Sequence, residues 1–198
     1  DFIILILAGI LVGFINTLAG GGSTISLSVL MLMGLSPAVA NGTNRIGIAI
    51  QNIVGVSSFK QQGVLESRKG LLLSIPATLG SIVGAFIAVD INEAVFEKAM
   101  AVVLVIMLIF VLFNPQKLIK EQTELTQKKL NWKQFVLFFF IGIYGGFIHL
   151  GIGYFLLASL ILGAGYELVK ANAVKVLIVL VYTPFSLAVF IWNDMIDY

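Results

Sequence analysis

The chain reads as a series of apolar runs separated by short polar stretches. A helix needs about 20 apolar residues to cross a bilayer. Residues 2–19 nearly reach that length before Gly20, Gly21 and Gly22 interrupt them, and residues 24–34 form a piece too short to cross. Residues 38–60, entered after Pro37, give a second span, and 70–89 and 94–113 give two more. Residues 134–149 are apolar and aromatic and run into Gly151 and Gly153; 154–165 is another short piece, and 168–192 is the last span. The periodicity is helical or uniformly apolar, without the two-residue alternation of a membrane barrel. The pattern predicts an all-α integral membrane protein.

Composition agrees. The 198 residues are 59% hydrophobic and 11% charged, where soluble domains carry about 25% charged residues. Apolar segments recur along the whole chain, so the first is read as a membrane element and not a signal peptide. Cysteine is absent and there is a single histidine, which excludes disulfides and leaves no set of ligands for a metal. The expectation is no metal and no cofactor. No Gly-Lys-Ser/Thr follows the glycines, so a nucleotide P-loop is excluded, and no feature points to nucleic acid.

Charge fixes orientation. Loop 60–69 carries Lys60, Arg68 and Lys69, and loop 114–133 carries Lys117, Lys120, Lys128, Lys129 and Lys133. Residues 90–97 hold Asp90, Glu93 and Glu97 without a base. Basic loops stay cytoplasmic, so 60–69 and 114–133 are inside and 90–97 outside.

Shifting residues 20–59 by 131 positions aligns them with 151–190 without gaps and pairs Gly20 with Gly151, Gly22 with Gly153, Gly34 with Gly165, and Ala40-Asn41 with Ala171-Asn172. The expectation is two repeat-related halves, each opening with a glycine-broken or re-entrant helix pair: residues 1–113, then the basic cytoplasmic loop 114–133, then 134–198. Asp194 and Asp197 at the far end of the last span favour inverted halves, a common transporter plan. A parallel arrangement with broken crossing helices stays open. The second unit stops after its first full span, so either two matching helices are missing or a shorter second half is tolerated.

Unpaired backbone groups cannot face lipid, so each break must be buried or line a wet cavity. A helix starting near Ser23 would present free N–H groups and a partial positive charge there, and glycine lets an anion approach closely. Tight helix packing is the alternative use of such glycines. Arg45, His149 and Lys175 lie inside predicted spans with no Asp or Glu beside them, and intramembrane ionisable groups are costly and usually functional. Arg45 and Lys175 each sit roughly 10 Å along their span at about 1.5 Å per residue. Cations without carboxylate partners call for an anion; snorkelling to headgroups is the competing use. Asn41, Thr43, Asn44, Asn172 and Tyr154 supply hydrogen-bond donors nearby, and Asn16, Gln51, Asn52, Tyr182 and Thr183 belong to the same polar population.

The stretch "GFINTLAGGGSTISLSVLMLMGLSPAVANGTNRIG" (13–47), then "SSFKQQGVL" (57–65), "PATLGSIVGAFIA" (76–88) and the weaker "GFIHLGIGYFLLASLILGAGYELVKANAVKV" (146–176), resembles the sulfite exporter TauE/SafE family of membrane permeases. The resemblance implies a multi-pass protein of a bacterial-type inner membrane that moves a small sulfur-containing anion such as sulfite, a sulfonate, sulfoacetate or thiosulfate. It implies helices in two related halves, with the glycine breaks and the positions after "AN" lining the pathway. On this reading Gly20, Gly21, Gly22 and Ser23 offer backbone donors opposite Gly151, Gly153 and Tyr154. Arg45 and Lys175 supply charge, and Asn41, Thr43, Asn44, Asn172 and His149 add hydrogen bonds. The partners are the anion and the bilayer, and a homodimer is left open. An anion channel is the alternative. A membrane-embedded enzyme is weaker, since one histidine and no intramembrane carboxylate leave little acid–base equipment.

Overall fold

A computed structural model describes residues 9–16, 21–112 and 131–197. The start of the first predicted span, Gly20 and nearly all of the 114–133 loop lie outside the described residues. Those described form helices and connecting turns, with no strand among them. We number the helices α1 (9–16), α2 (Ser23–Leu32), α3 (Pro37–Gln61), α4 (Ser67–Asp90), α5 (Glu93–Leu112), α6 (Trp132–Phe147), α7 (Ile152–Ala158, continuing as a π turn over Ser159–Gly163) and α8 (Leu168–Trp192).

Length separates spanning from broken elements. At 1.5 Å per residue α3, α4 and α8 run roughly 36–38 Å and α5 roughly 30 Å, enough for a hydrocarbon core of about 30 Å. α4 and α8 each also contain an 18-residue stretch apolar enough to cross. By the same rise α6 runs roughly 24 Å, α7 with its π turn roughly 18 Å and α2 roughly 15 Å, all short of a crossing. Large apolar side chains cover the outside of the bundle, among them Phe14, Ile53, Phe86, Phe140 and Phe185, as expected of a surface that meets lipid.

α6 and α7 form a helical hairpin. Its entry is written in the sequence as Asn131-x-x-Gln134, a capping box in which Gln134 N–H donates to Asn131 Oδ1 and Asn131 N–H to Gln134 Oε1, both at 3.1 Å. The same Gln134 side chain donates through Nε2 to Gly163 O at 3.1 Å, tying the open ends together. At the closed end His149 and Gly151 both take left-handed backbone, with φ 62° and 61°. Tyr144 Oη donates to Leu150 O across the turn, and the Tyr144 and Phe155 rings meet edge to face at 5.1 Å.

In a bilayer, association rests on close packing and hydrogen bonds, because lipid is as apolar as the helices. The tightest contact is α4 against α6, which run parallel. Gly80 and Gly84 on α4 face Gly142 and Gly146 on α6. A Cβ at Gly80 would strike Phe139 O, at Gly84 Ile143 O, at Gly142 Ala77 O and at Gly146 Ser81 O. Each helix thus carries a Gly-x-x-x-Gly pair, and the backbones touch. α3 and α8 cross antiparallel: Gly42 lies at Phe190 and Met195, Arg45 at Ser186, and Gly55 at Val176.

Two apolar clusters form the interior. One gathers Phe138, Leu156, Leu160, Val174 and Ile178 around the hairpin, at the end that holds the 60–69 loop. The other gathers Leu27, Ala85, Phe96, Met100 and Phe190 around α2 and α5, at the acidic end. Polar side chains lie between them.

The links into the two long helices share one backbone path. Gly34 (φ 100°) and Gly165 (φ 72°) are left-handed, Ser36 and Glu167 are extended with ψ 151° in both, and 25-residue helices follow. Pro37 occupies the first helical position, where its missing N–H costs nothing. At Gly34 no atom stands within 4 Å of an added Cβ, so substitution there isolates the backbone cost. Gly34→Ala is expected to lower stability by about 1 kcal/mol, the scale of a left-handed non-glycine residue, measurable as a lower unfolding midpoint in detergent.

Candidate functional site

The polar layer is built where the two helix breaks meet. Ser23, the first residue of α2, donates through Oγ to His149 O in the α6–α7 turn at 3.2 Å. Two residues before Ser23, Gly21 lies under the Tyr154 ring so closely that a Cβ would stand 2.7 Å from Cε2. Beside this meeting point is a cavity of about 20 Å³, lined by the polar side chains of Asn16, Ser23, Gln51, Asn52, His149 and Lys175, with Gly153 and three aliphatic residues. That volume is on the scale of one bound water. Among the described residues no Asp or Glu lines it, and no three His, Cys, Asp or Glu come together.

Lys175 reaches the cavity from α8, 3% exposed, and donates from Nζ to Asn16 O at 3.0 Å. An ammonium has three donors; Asn16 O is its one hydrogen-bond partner among the described residues. Asn16 joins the breaks in three directions. Its backbone oxygen holds Lys175, its Oδ1 accepts from Ser23 N–H at 3.1 Å, and its Nδ2 donates to Gln51 Oε1 at 3.2 Å. The free N–H expected at the start of α2 is therefore occupied by a neutral amide oxygen. Asn52 donates to its own helix at Ile48 O, 2.7 Å.

His149 is 4% exposed. Its Nδ1 lies 3.1 Å from Tyr182 Oη and 3.3 Å from Gly145 O. Nδ1 accepts from the tyrosine hydroxyl in one tautomer and donates to the carbonyl in the other. Left-handed backbone costs a residue with a Cβ about 1–2 kcal/mol, so the turn is held by what surrounds it.

Of the residues singled out from sequence, Ser23, His149, Gly153 and Lys175 line the cavity; Gly21, Gly22, Gly151 and Tyr154 frame it. Gly22 caps α2 against the Asn16 side chain, and Gly151 precedes α7. Asn172 is buried on α8, one turn before Lys175. Gly20 lies outside the described residues. Asn44, Asn41, Arg45 and Thr43 do not line the cavity. Asn44 Oδ1 accepts from Ser26 Oγ at 2.6 Å, joining α2 to α3. Thr43 Oγ1 accepts from Asp197 N–H at 2.9 Å, in an exposed contact. Asn41 Nδ2 donates to Phe147 O at 2.8 Å. Arg45, fully buried, donates from Nη1 to Ser186 Oγ at 2.8 Å and from Nη2 to Gly146 O at 2.6 Å, with its guanidinium 4.6 Å from the centre of the Phe190 ring.

Asn16, Gln51 and Asn52 carry more of the cavity than the sequence suggested. For Gln51 and Asn52 a signal exists: with Asn44 and Ile48 they fall at i, i+4 and i+7 or i+8, one face of a helix. Asn16 has no such mark, because the position 131 residues later is Phe147.

These features define an all-helical membrane protein whose interrupted helices converge on a buried basic cavity. The chain belongs to the sulfite exporter TauE/SafE family, whose model matches residues 5–198. A probable membrane transporter protein of Haemophilus influenzae is 28% identical over 172 residues, 86% of this chain and 66% of the relative. The probable membrane transporter protein YfcA of Escherichia coli K12 is 26% identical over 172 residues, 86% of this chain and 62% of the relative. A probable membrane transporter protein of Sinorhizobium is 23% identical over 170 residues, 85% and 64%. The chain thus spans a little under two thirds of the length of these curated relatives. No solved structure matches it.

Proposed function

We propose that this chain forms the larger part of a permease for a small sulfur oxyanion or organosulfonate, with substrate held where the two helix breaks meet. The observation that carries this is the cavity itself: a buried ammonium beside the start of α2 and the α6–α7 turn, with amide and hydroxyl groups around it and no carboxylate among the described residues of its lining. The family is described by sulfite export, and the relatives above are named as membrane transporters. Both support the same chemistry.

The two halves, 1–113 and 134–198, are inverted copies, and access to the cavity alternates between the two sides of the membrane. Supporting this are the shared backbone at Gly34 and Gly165 and the antiparallel crossing of α3 and α8, which occupy equivalent places at the 131-residue shift. α6 also enters from the side on which α4 begins and α7 returns to the side on which α8 begins, as a re-entrant pair requires. A cavity of about 20 Å³ is too small for an oxyanion with its contacts, so its lining has to part to admit substrate. Substrate competes with the Asn16 amide oxygen for the Ser23 N–H and brings the negative charge that Lys175 lacks.

The test is flux into proteoliposomes of the full-length protein with sulfite, sulfoacetate, taurine and thiosulfate. Saturable uptake of at least one of them, accelerated by the same anion on the far side, is expected. Flux that rises linearly with concentration and shows no counterflow would mean a channel, and no flux of any would remove the anion assignment.

A further inference from the structure

The two buried bases stand in unlike surroundings. A helix leaves its last four carbonyls without partners in the helix, and α6 ends inside the protein, so each of these must be met there. Tyr144 O accepts from Ile148 N–H at 3.0 Å. Gly145 O faces His149 Nδ1 at 3.3 Å. The remaining two are met from the other half of the chain: Gly146 O by Arg45 Nη2 at 2.6 Å, and Phe147 O by Asn41 Nδ2 at 2.8 Å. Arg45 and Asn41 are four residues apart on α3, one turn, so both reach the same helix end.

The charge of Arg45 is answered from three sides. The carboxyl end of α6 carries partial negative charge, the Phe190 ring presents its electron-rich face, and Ser186 Oγ accepts at 2.8 Å while its own O–H donates to Thr183 O at 3.1 Å. Arg45 also does not line the cavity. Lys175 does, and its bond to Asn16 O falls on the position that the 131-residue shift pairs with Phe147. One device thus recurs, but only the α8 copy leaves donors beside open space.

We infer that Arg45, with Asn41, is a positioning residue, a cap supplied by α3 to the broken end of α6 that fixes the turn carrying His149, and that the anion's charge is met by Lys175 instead. The assignment of Lys175 rests on the permease reading; that of Arg45 does not. It makes "NGTNR" a clasp between the two halves rather than a lining of the route.

The experiment has two arms, both on the full-length protein. This chain has no cysteine, so in a cysteine-free background Leu150→Cys, at a position 1% exposed in the turn, reports how well the turn is held. Adding Arg45→Gln is expected to speed maleimide labelling at that site about tenfold or more. Arg45→Lys, which keeps a donor for Gly146 O, should restore most of the protection, and Lys175→Gln should leave labelling near the parent rate. In the second arm, with whichever of the four test compounds the parent carries, uptake by Arg45→Gln is expected to lose maximal rate about tenfold with KM within about twofold, whereas Lys175→Gln raises KM. Should Arg45→Gln fail to insert, Asn41→Leu removes the other half of the cap and is measured in the same way. Unchanged labelling in the capping variants, or a raised KM for Arg45→Gln matching that of Lys175→Gln, overturns the inference. A parent protein that carries none of the four test compounds counts against the permease reading and leaves the labelling arm to decide the cap.

Discussion

Lys175→Gln is expected to weaken anion transport about 10- to 100-fold, seen as a rise in KM, while the protein still inserts and unfolds at nearly the parent temperature. The direction follows from what the substitution removes and what it keeps. Glutamine retains an N–H donor on a stem long enough to approach Asn16 O, so the contact that ties α8 to α1 survives in neutral form. It removes the charge. A hydrogen bond to a charged group contributes about 1.5–3 kcal/mol, and each 1.4 kcal/mol is tenfold in affinity. Burial of an ammonium without a carboxylate is itself costly, so neutralising it does not harm the fold and can help it. Concentration-dependent flux together with a thermal unfolding curve separates the two effects. Flux with an unchanged KM would show that the ammonium does not meet the substrate.

The second large effect is expected at the α4–α6 contact. Gly84→Leu places a side chain where Ile143 O now lies, and a backbone carbonyl cannot rotate away as a side chain could. Overpacking of this kind costs about 1–3 kcal/mol when neighbours can yield, and more is expected here because two helix backbones must separate. The helices would part at the level that holds Gly146, whose carbonyl receives Arg45. The expected result is a drop in the unfolding midpoint with poor recovery from the membrane. Leu79→Ala, on the exposed face of the same helix, serves as the control and should leave both unchanged. Normal stability in Gly84→Leu would mean that the close approach of α4 and α6 is not a feature of the protein in lipid.

How far the sequence reached differs between helices and contacts. The bounds of α3, α4, α5 and α8 follow from runs of apolar residues closed by Pro37, Gly63, Asp90 and Asn193, and fall within about three residues of the sequence reading. This is because the bilayer imposes a length and backbone groups must pair within the helix. The breaks were legible because Gly20, Gly21 and Gly22, and later Gly151 and Gly153, interrupt apolar runs before these reach a spanning length. What the bases would touch was not. Residue type and depth placed Arg45 and Lys175 alike, and no rule of spacing says that a helix end from the other half stops beside one of them. That depends on where α6 terminates, which the Asn131-x-x-Gln134 cap and the His149 turn decide, and on the antiparallel crossing of α3 with α8. The two glycine pairs of α4 and α6 were visible as glycines, but their partnership becomes apparent only once the helices are known to run parallel. Asn16 shows the limit of the repeat as a guide, because its counterpart is a phenylalanine.

The glycine contact between α4 and α6 has a mechanical consequence. α4 comes from the first half of the sequence and α6 from the second, yet their backbones lie against each other with no side chain between them. Such a joint has no slack to slide. In the alternating access proposed above, α4 and the hairpin would therefore travel as a single lever, and the seam that yields would lie along the side-chain hydrogen bonds by which α1, α2 and α3 hold the hairpin and α8. The bodies that swing would then not be the two halves as written along the chain, because one long helix has changed sides.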